Sequence, residues 1–530
     1  MKSSPSMLRF FNGPIVTMDA DDPVAGEVVT SGHRIVWVGR RGSAPTEYRR
    51  ARPVDLKGRL LLPAFSDAHT HFLMLARALS DLDLRRVHTS VALRECLRRH
   101  RQATGVGGGW IIGHGFDPNL WLGARPSRKG LDDLELQRPI AIFSHDEHSL
   151  WVNTIALRRA GIDRETPDPP GGRIERDSSG QPTGILYETA CNLVWGKVPE
   201  PTLSEAERLI AQTQSEAHAV GVAAIHDMGH ALTLAAFHGL REKGRLRLRL
   251  WKSIGLDHLD EAVTLGLRSG LGDRWIKIGA VKIFLDGALG SRTAWMYRPY
   301  TGDRSHRGIC RMEKAEFADV VRRAAAHGLS VCVHAIGDAA VGQAVDVLRR
   351  HEARFPRRQP PRIEHLQLID PKGLKRLAGS RIIASMQPSH LLTDRDYVDR
   401  HWGRRVKDAF VFRSLWDQGT VMAFGSDAPI ERLCPIDGIG AAVHRACPKD
   451  RRGSWYPRQR LSVWEAVWGF SVGAAIAAGD GDQRGRIAPG MLADLVVLDR
   501  NIFAIHPSDV FAAQVMMTVV DGDCVYERSA

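Results

Sequence analysis

The stretch LSVCVHAIGDAAVGQAVDVLRRHEARFPRRQPPRIEHLQLI (Leu329–Ile369) decides the fold. Its ends, LSVCVHAI (329–336) and RIEHLQLI (362–369), are short and mostly apolar, whereas AAVGQAVDVLRRHEARF between them repeats apolar residues at helical spacing. Near-continuous apolar strands separated by amphipathic helices belong to parallel sheets buried on both faces. On either side the same alternation recurs, in 61–69, VAAIHDM (222–228), LRLRLWKSI (246–254), IKIGAVKIFLDG (276–287), RIIASMQ (381–387) and TVMAFGSDA (420–428). KAEFADVVRRAAAHG supplies another intervening helix. Eight strands with helical connections predict the α/β class and a (β/α)8 TIM-like barrel, with a short helix after the sixth strand. A flavodoxin-like open sheet is the alternative.

The chain ends read differently. RFFNGPIVTMD, GEVVTSGHRIVWVG and PVDLKGRLLLPAF near the start, and GRIAPGMLADLVVLDRN and AAQVMMTVVDGDCVYER near the end, are strands punctuated by Gly, Asn, Asp and Pro. They predict a small β-sandwich domain built from residues 1–60 and 485–530, around a barrel over 61–484. About 150 residues separate the first two barrel strands, far more than a crossover helix needs. GGWIIGHGFDPNLW, RPIAIFSHDEHSLWVNTIAL and GGRIERDSSGQPTGILYE mark an inserted subdomain over 75–200. Its expected place is above the C-terminal mouth of the barrel, where barrel sites lie.

Composition bounds the partners. With 43% hydrophobic and 25% charged residues, the 530-residue chain can bury large cores, and its length allows two to four domains. The net charge of +13 invites a nucleic-acid reading, but RRHRQ (98–102) and RRHEARFPRRQPPR (349–362) are dispersed, interrupted by Glu and placed on helix faces. No nucleic-acid or membrane partner is expected, and self-association into a homo-oligomer is left open. The seven cysteines form no C-x-x-C pair, MKSSPSMLRF lacks an apolar leader core, and no apolar run has spanning length. A reducing, cytoplasmic setting is expected.

His69 and His71 are two apart, so on a strand both imidazoles face one side, together with Asp67. An isolated H-x-H is weak evidence for metal. It gains weight because Lys282, His334, His365 and Asp427 each lie within or at the end of a separate apolar strand, where a bare polar group is costly to bury. Lys282 has a structural alternative, an ion pair with Asp286 or Glu364. Lys277, an odd number of residues earlier, faces the other way.

With LLLPAFSDAHTHF, GGWIIGHGFD, VKIFLDGALGSRTA, VCVHAIGDAA, RIEHLQL, GSDAPI and GRIAPGMLADLVVLD, the chain resembles the amidohydrolase superfamily, in the branch of the N-substituted formamide deformylases, over nearly its whole length. The resemblance implies His69, His71 and Asp427 as ligands of the more buried metal, and His334 and His365 as ligands of a second. Lys282 would bridge the two as a CO2-derived carbamate. Beside two cations an ammonium would be repelled, whereas a carbamate brings a negative charge and two oxygens. Two Zn2+ ions are implied, with Mn2+, Fe2+ or Co2+ as alternatives. The implied reaction is hydrolysis of an amide, N-acyl or N-formyl C–N bond of a small molecule by metal-activated hydroxide, with Asp427 as general base. Rivals are an ester or lactone hydrolase or a deaminase on the same centre, and a non-catalytic scaffold with a basic binding surface. Ala64-Phe65 departs from the family's usual Gly-Phe.

Candidate substrate contacts are Arg292, as a carbonyl or carboxylate clamp, His390 after the seventh strand, and His148, Asp117 and Trp121 in the insertion. His226 is a candidate for orienting a ligand, and Glu188 is left open.

Overall fold

The computed structural model describes residues 7–104, 109–116, 121–122, 125–135, 137–144, 149–290, 292–303, 305–448 and 450–529. Eight parallel strands form the barrel: β1 (Phe65–Thr70), β2 (Val222–Asp227), β3 (Arg249–Gly255), β4 (Ile276–Phe284), β5 (Val331–Ala335), β6 (Arg362–His365), β7 (Ile383–Met386) and β8 (Met422–Phe424). Each pairs with its successor in chain order. The ring is closed at β1 by a parallel bridge between Thr70 and Ala428 and by hydrogen bonds from Asp427 N to His69 O (2.7 Å) and His71 N to Ala428 O (2.9 Å). Closure excludes the open-sheet alternative.

The outer helices follow from their sequences. Lys314–Ala326 buries Phe317, Val320, Val321, Ala324 and Ala325, the i, i+3, i+4, i+7, i+8 stripe of a helix lying on a sheet. Asp338–His351 carries Asp338 in its first turn and Arg349, Arg350 and His351 in its last, opposing the helix dipole at both ends. The helix after β6, Pro371–Leu377, is short, as its sequence predicts, and starts on an Asp370 side chain that caps Gly373 N.

The strand expected over 61–69 is two strands in two sheets. Leu60–Pro63 pairs antiparallel with Leu495–Leu498, and after Ala64 the chain enters β1. Pro63 lacks the N–H that a continuous ladder needs, which marks the break. Strands from both chain ends form one eight-stranded sheet. In it Met7–Val16 pairs first with Arg52–Asp55 and then, through Ile15, with Leu61. One core collects Leu8, Phe10 and Ile15 from the start of the chain and Leu495, Val497 and Val519 from its end. Buried Arg249 of β3 grips Asp494 through both carboxylate oxygens (2.7 and 2.8 Å) and reaches Asp521 at 3.0 Å.

Met74–Leu209 is a second compact unit. It has its own six-stranded sheet, with Gly172–Arg176 at one edge and Leu82–Asp83 at the other. Two apolar clusters fill it, centred on Phe116 and Trp151 and on Leu150 and Leu186. Among the described residues no helix is long and apolar enough to cross a membrane, and no cysteine is disulfide-bonded.

Candidate metal centre

The site lies where the barrel strands end. His69 is fully buried; its Nδ1 is bound to Glu364 Oε2 at 2.7 Å and its Nε2 lies 3.5 Å from Asp427 Oδ1. His71 Nε2 approaches the same Asp427 oxygen at 3.3 Å. Asp427 Oδ2 is 3.6 Å from His390 Nε2. The His365 ring sits 4.9 Å from that of His69 and 4.5 Å from that of His334. Two trios thus have donor atoms within 4.8 Å of one another: His69, His71 and Asp427, and His365, His390 and Asp427.

Local backbone conformation brings these groups together. Strand alternation would send Glu364 and His365 to opposite faces. His365 instead has φ 71°, in the left-handed region that costs a non-glycine residue energy, and both side chains meet His69. Asp427 is likewise left-handed at φ 62°. Asp67 accepts from the backbone N–H of both His69 (3.1 Å) and Ser426 (3.0 Å), tying the end of β1 to that of β8. Burial pushes its carboxyl up to about 7. Gly425 permits the contact, because a Cβ there would stand 2.4 Å from His69 N.

Beneath the site is a buried relay that includes Arg362. Its Nε is 2.9 Å from Glu364 Oε1, and its Nη2 reaches Ala68 O at 2.6 Å and Ser385 Oγ at 2.8 Å. Its Nη1 donates to His226 Nδ1 at 2.8 Å, which puts the His226 proton on Nε2. The Trp251 ring lies against both the guanidinium and the His226 imidazole. Burial alone would raise the Glu364 carboxyl, but Arg362 and then His69 outweigh it and hold Glu364 below the usual carboxylate range. For Asp427 burial is likewise outweighed, by His69, His71 and His365, and the group stays ionised. Burial, with help from Lys282, pulls His69 down to about 4 and His334 to about 3, and burial holds His365 well below its ordinary value. Neutral imidazoles are the form a metal binds.

His334 donates from Nε2 to Gly287 O at 3.1 Å or shares that proton with Asp286, 3.5 Å away, leaving Nδ1 available. Asp286 is itself held by the N–H groups of Trp295, Ile336 and Gly337. Lys282 is buried, and neither Asp286 nor Glu364 lies within ion-pair distance of it; its Nζ lies 5.0 Å from the Phe284 ring centre. Lys277 pairs instead with Asp480, on the other side of the strand.

A cavity of about 360 Å3 is lined by His69, His71, Lys282, His334, His365, His390 and Asp427. His69 Nε2, His365 Nδ1, His390 Nε2 and Asp427 Oδ1 are all buried without a hydrogen-bond partner. Four orphaned atoms at one cavity would be costly unless an ion satisfied them. The donor set, imidazoles and a carboxylate, suits a first-row divalent cation.

The model of the amidohydrolase family matches residues 52–526. The chain belongs to the amidohydrolase family. It is 30% identical to Protein LONG AFTER FAR-RED 3 of Arabidopsis thaliana over 97% of this chain and 91% of that one. It is 31% identical to the putative amidohydrolase YtcJ of Bacillus subtilis, over 92% of each chain. It is 28% identical to the N-substituted formamide deformylase of Arthrobacter pascens, over 98% of each. A crystal structure of an uncharacterized metal-dependent hydrolase from Pyrococcus furiosus superposes with a TM-score of 0.79 at 29% identity, covering 94% of this chain and all of that one. Family and relatives together support a metal-dependent hydrolase with a divalent cation in the cavity.

The other sequence candidates fare unevenly. His390 lines the cavity of this amidohydrolase. Arg292 does not: its side chain is exposed, and its carbonyl accepts from His306. Trp121 packs edge-on against Trp151, ring centres 5.1 Å apart, in the core of the 74–209 unit. Asp117 and His148 lie outside the described residues. His226 touches Arg362, which pairs with Glu364, the hydrogen-bond partner of His69. Sequence reading missed Arg362 as an organising residue. The available signal was its charge two positions before Glu364 in an otherwise apolar strand.

Proposed function

We propose that this amidohydrolase hydrolyses a C–N bond, an amide, N-acyl or N-formyl linkage, in a small molecule. The observation that carries it is the convergence of four orphaned buried donor atoms on one cavity lined in strand order by H-x-H, Lys, His, His and Asp. His69, His71 and Asp427 would hold one cation. His334 and His365 would hold a second, bridged to the first by Lys282 as its carbamate, with zinc the first candidate for both. When bound, such cations supply Lewis acidity and an acidified water. Asp427, ionised and facing three imidazoles, accepts the water's proton and returns it to the leaving nitrogen. Glu364 fixes the His69 ring by holding Nδ1, which leaves Nε2 for the ion.

The test is a screen of metal-loaded protein against N-formyl and N-acyl amines, N-acyl amino acids and cyclic amides, with matched esters, lactones and aminated heterocycles alongside. Release of amine from at least one amide, abolished by chelation and restored by metal, is expected. Turnover of esters or lactones alone would overturn the C–N assignment, turnover of ring amines alone would replace the amide by a deaminase reading, and a chain inert to all of them would favour a scaffold.

Lys282→Ala tests the two-ion version. Metal content measured by elemental analysis should fall from two ions per chain to one, with kcat down by about 100-fold or more for a lost Lewis acid. A variant that still holds two ions would remove Lys282 from the bridge.

A further inference from the structure

Beyond the ligating groups the cavity wall is divided chemically. Phe284 at the end of β4, Ala288 and Leu289 after it, and Ile336 after β5 form an apolar stretch of the wall. Gln367, Asp394 and Glu431, from the segments after β6, β7 and β8, add hydrogen-bond acceptors, with Thr393 and Ile430 beside them. Asp394 Oδ2 accepts from Gln367 Nε2 at 3.1 Å, which fixes the amide so that Gln367 Oε1 is buried without a partner. Glu431 Oε1 accepts from Thr393 Oγ1 at 2.6 Å. Among the described residues no Lys or Arg side chain lies within 4 Å of either carboxylate, and no arginine lines the cavity. The lysine among them, Lys282, belongs to the ligating set.

We infer that the substrate is an amide whose non-reacting end carries an ammonium or another N–H-rich cation joined to the reacting bond by an apolar spacer, and that amides bearing a carboxylate at that end are excluded. The inference rests on the C–N reading of the same cavity. A carboxylate placed beside Asp394 and Glu431 would meet two acidic groups and an orphaned carbonyl, with His390 as the nearest group able to donate to it and no arginine among the described lining residues. A cation there is paired twice, and its N–H groups satisfy Gln367 Oε1. The preference is local: the chain as a whole carries +13, which by itself would draw anions.

Three formamides of matched length separate the cases: N-formyl-1,4-diaminobutane (cationic), N-formylbutylamine (neutral) and N-formyl-4-aminobutyrate (anionic). With metal-loaded protein, kcat/KM should fall in that order, with about 100-fold between cation and anion. In the Asp394→Asn/Glu431→Gln variant that ratio should shrink to within about tenfold, while the neutral compound changes least. Equal rates for cation and anion in the wild type, or a ratio unchanged in the variant, would overturn the inference. If none of the three is hydrolysed, calorimetric binding of the same compounds to the wild-type protein reads the charge order without turnover. Loss of the C–N reading and loss of the charge preference are then separate results.

Discussion

Asp427→Asn should lower kcat by about 10²–10⁴-fold while the chain keeps most of its metal. Asparagine retains an oxygen where Oδ1 approaches His69 Nε2 and His71 Nε2, at 3.5 and 3.3 Å, so a ligand atom survives. It cannot take a proton at neutral pH, and the attacking water loses its base. The left-handed backbone at Asp427 favours the change being local, because Asn tolerates that conformation as well as Asp does. Metal content and single-turnover rate on the same preparation decide the matter. Unchanged turnover would take the base role from Asp427. Turnover lost in proportion to metal would leave it a ligand only.

Arg362→Met should destabilise the protein by about 3–5 kcal/mol, the usual cost of stranding one member of a buried ion pair. Arg362 and Glu364 are both fully buried, so removing the guanidinium leaves a carboxylate with His69 as its main remaining partner. Three other acceptors lose their donor with it, His226 Nδ1, Ala68 O and Ser385 Oγ. Combining Arg362→Met with Glu364→Gln should recover much of the stability, since no buried charge is then unpaired. Metal affinity should remain about 10–100-fold weaker, because the His69 ring has lost its carboxylate. Denaturant midpoints and metal titrations of the two variants check both halves. A single variant as stable as the wild type would deny the relay its structural role.

The eight barrel strands were legible because apolar period and polar strand ends are local signals, and each predicted strand overlaps one that forms. His69, His71, Lys282, His334, His365 and Asp427 were legible for the same reason, and all six line one cavity. What escaped depends on backbone torsion or on contacts distant in sequence. Nothing in RIEHLQLI announces that His365 turns left-handed and puts two neighbouring side chains on one target. Nor does composition reveal that Asp394 and Glu431 share a wall. Arg292 looked suited to clamping because its motif adjoins the site, yet it is not among the described lining residues and its side chain is exposed. The break between Leu60–Pro63 and β1 was hidden because Ala64 alone separates the two strands.

That break ties the barrel's first strand to a segment made much later in the chain. Leu60–Pro63, one residue before β1, finds its partner in Leu495–Leu498. At about 5–20 residues per second, translation supplies that partner roughly 20–90 s after Pro63 is joined. Through most of that interval the nascent chain holds His69 and His71 without β8, and through all of it without Leu495–Leu498. Ribosome-bound chains truncated before Leu495 should therefore lack a metal site.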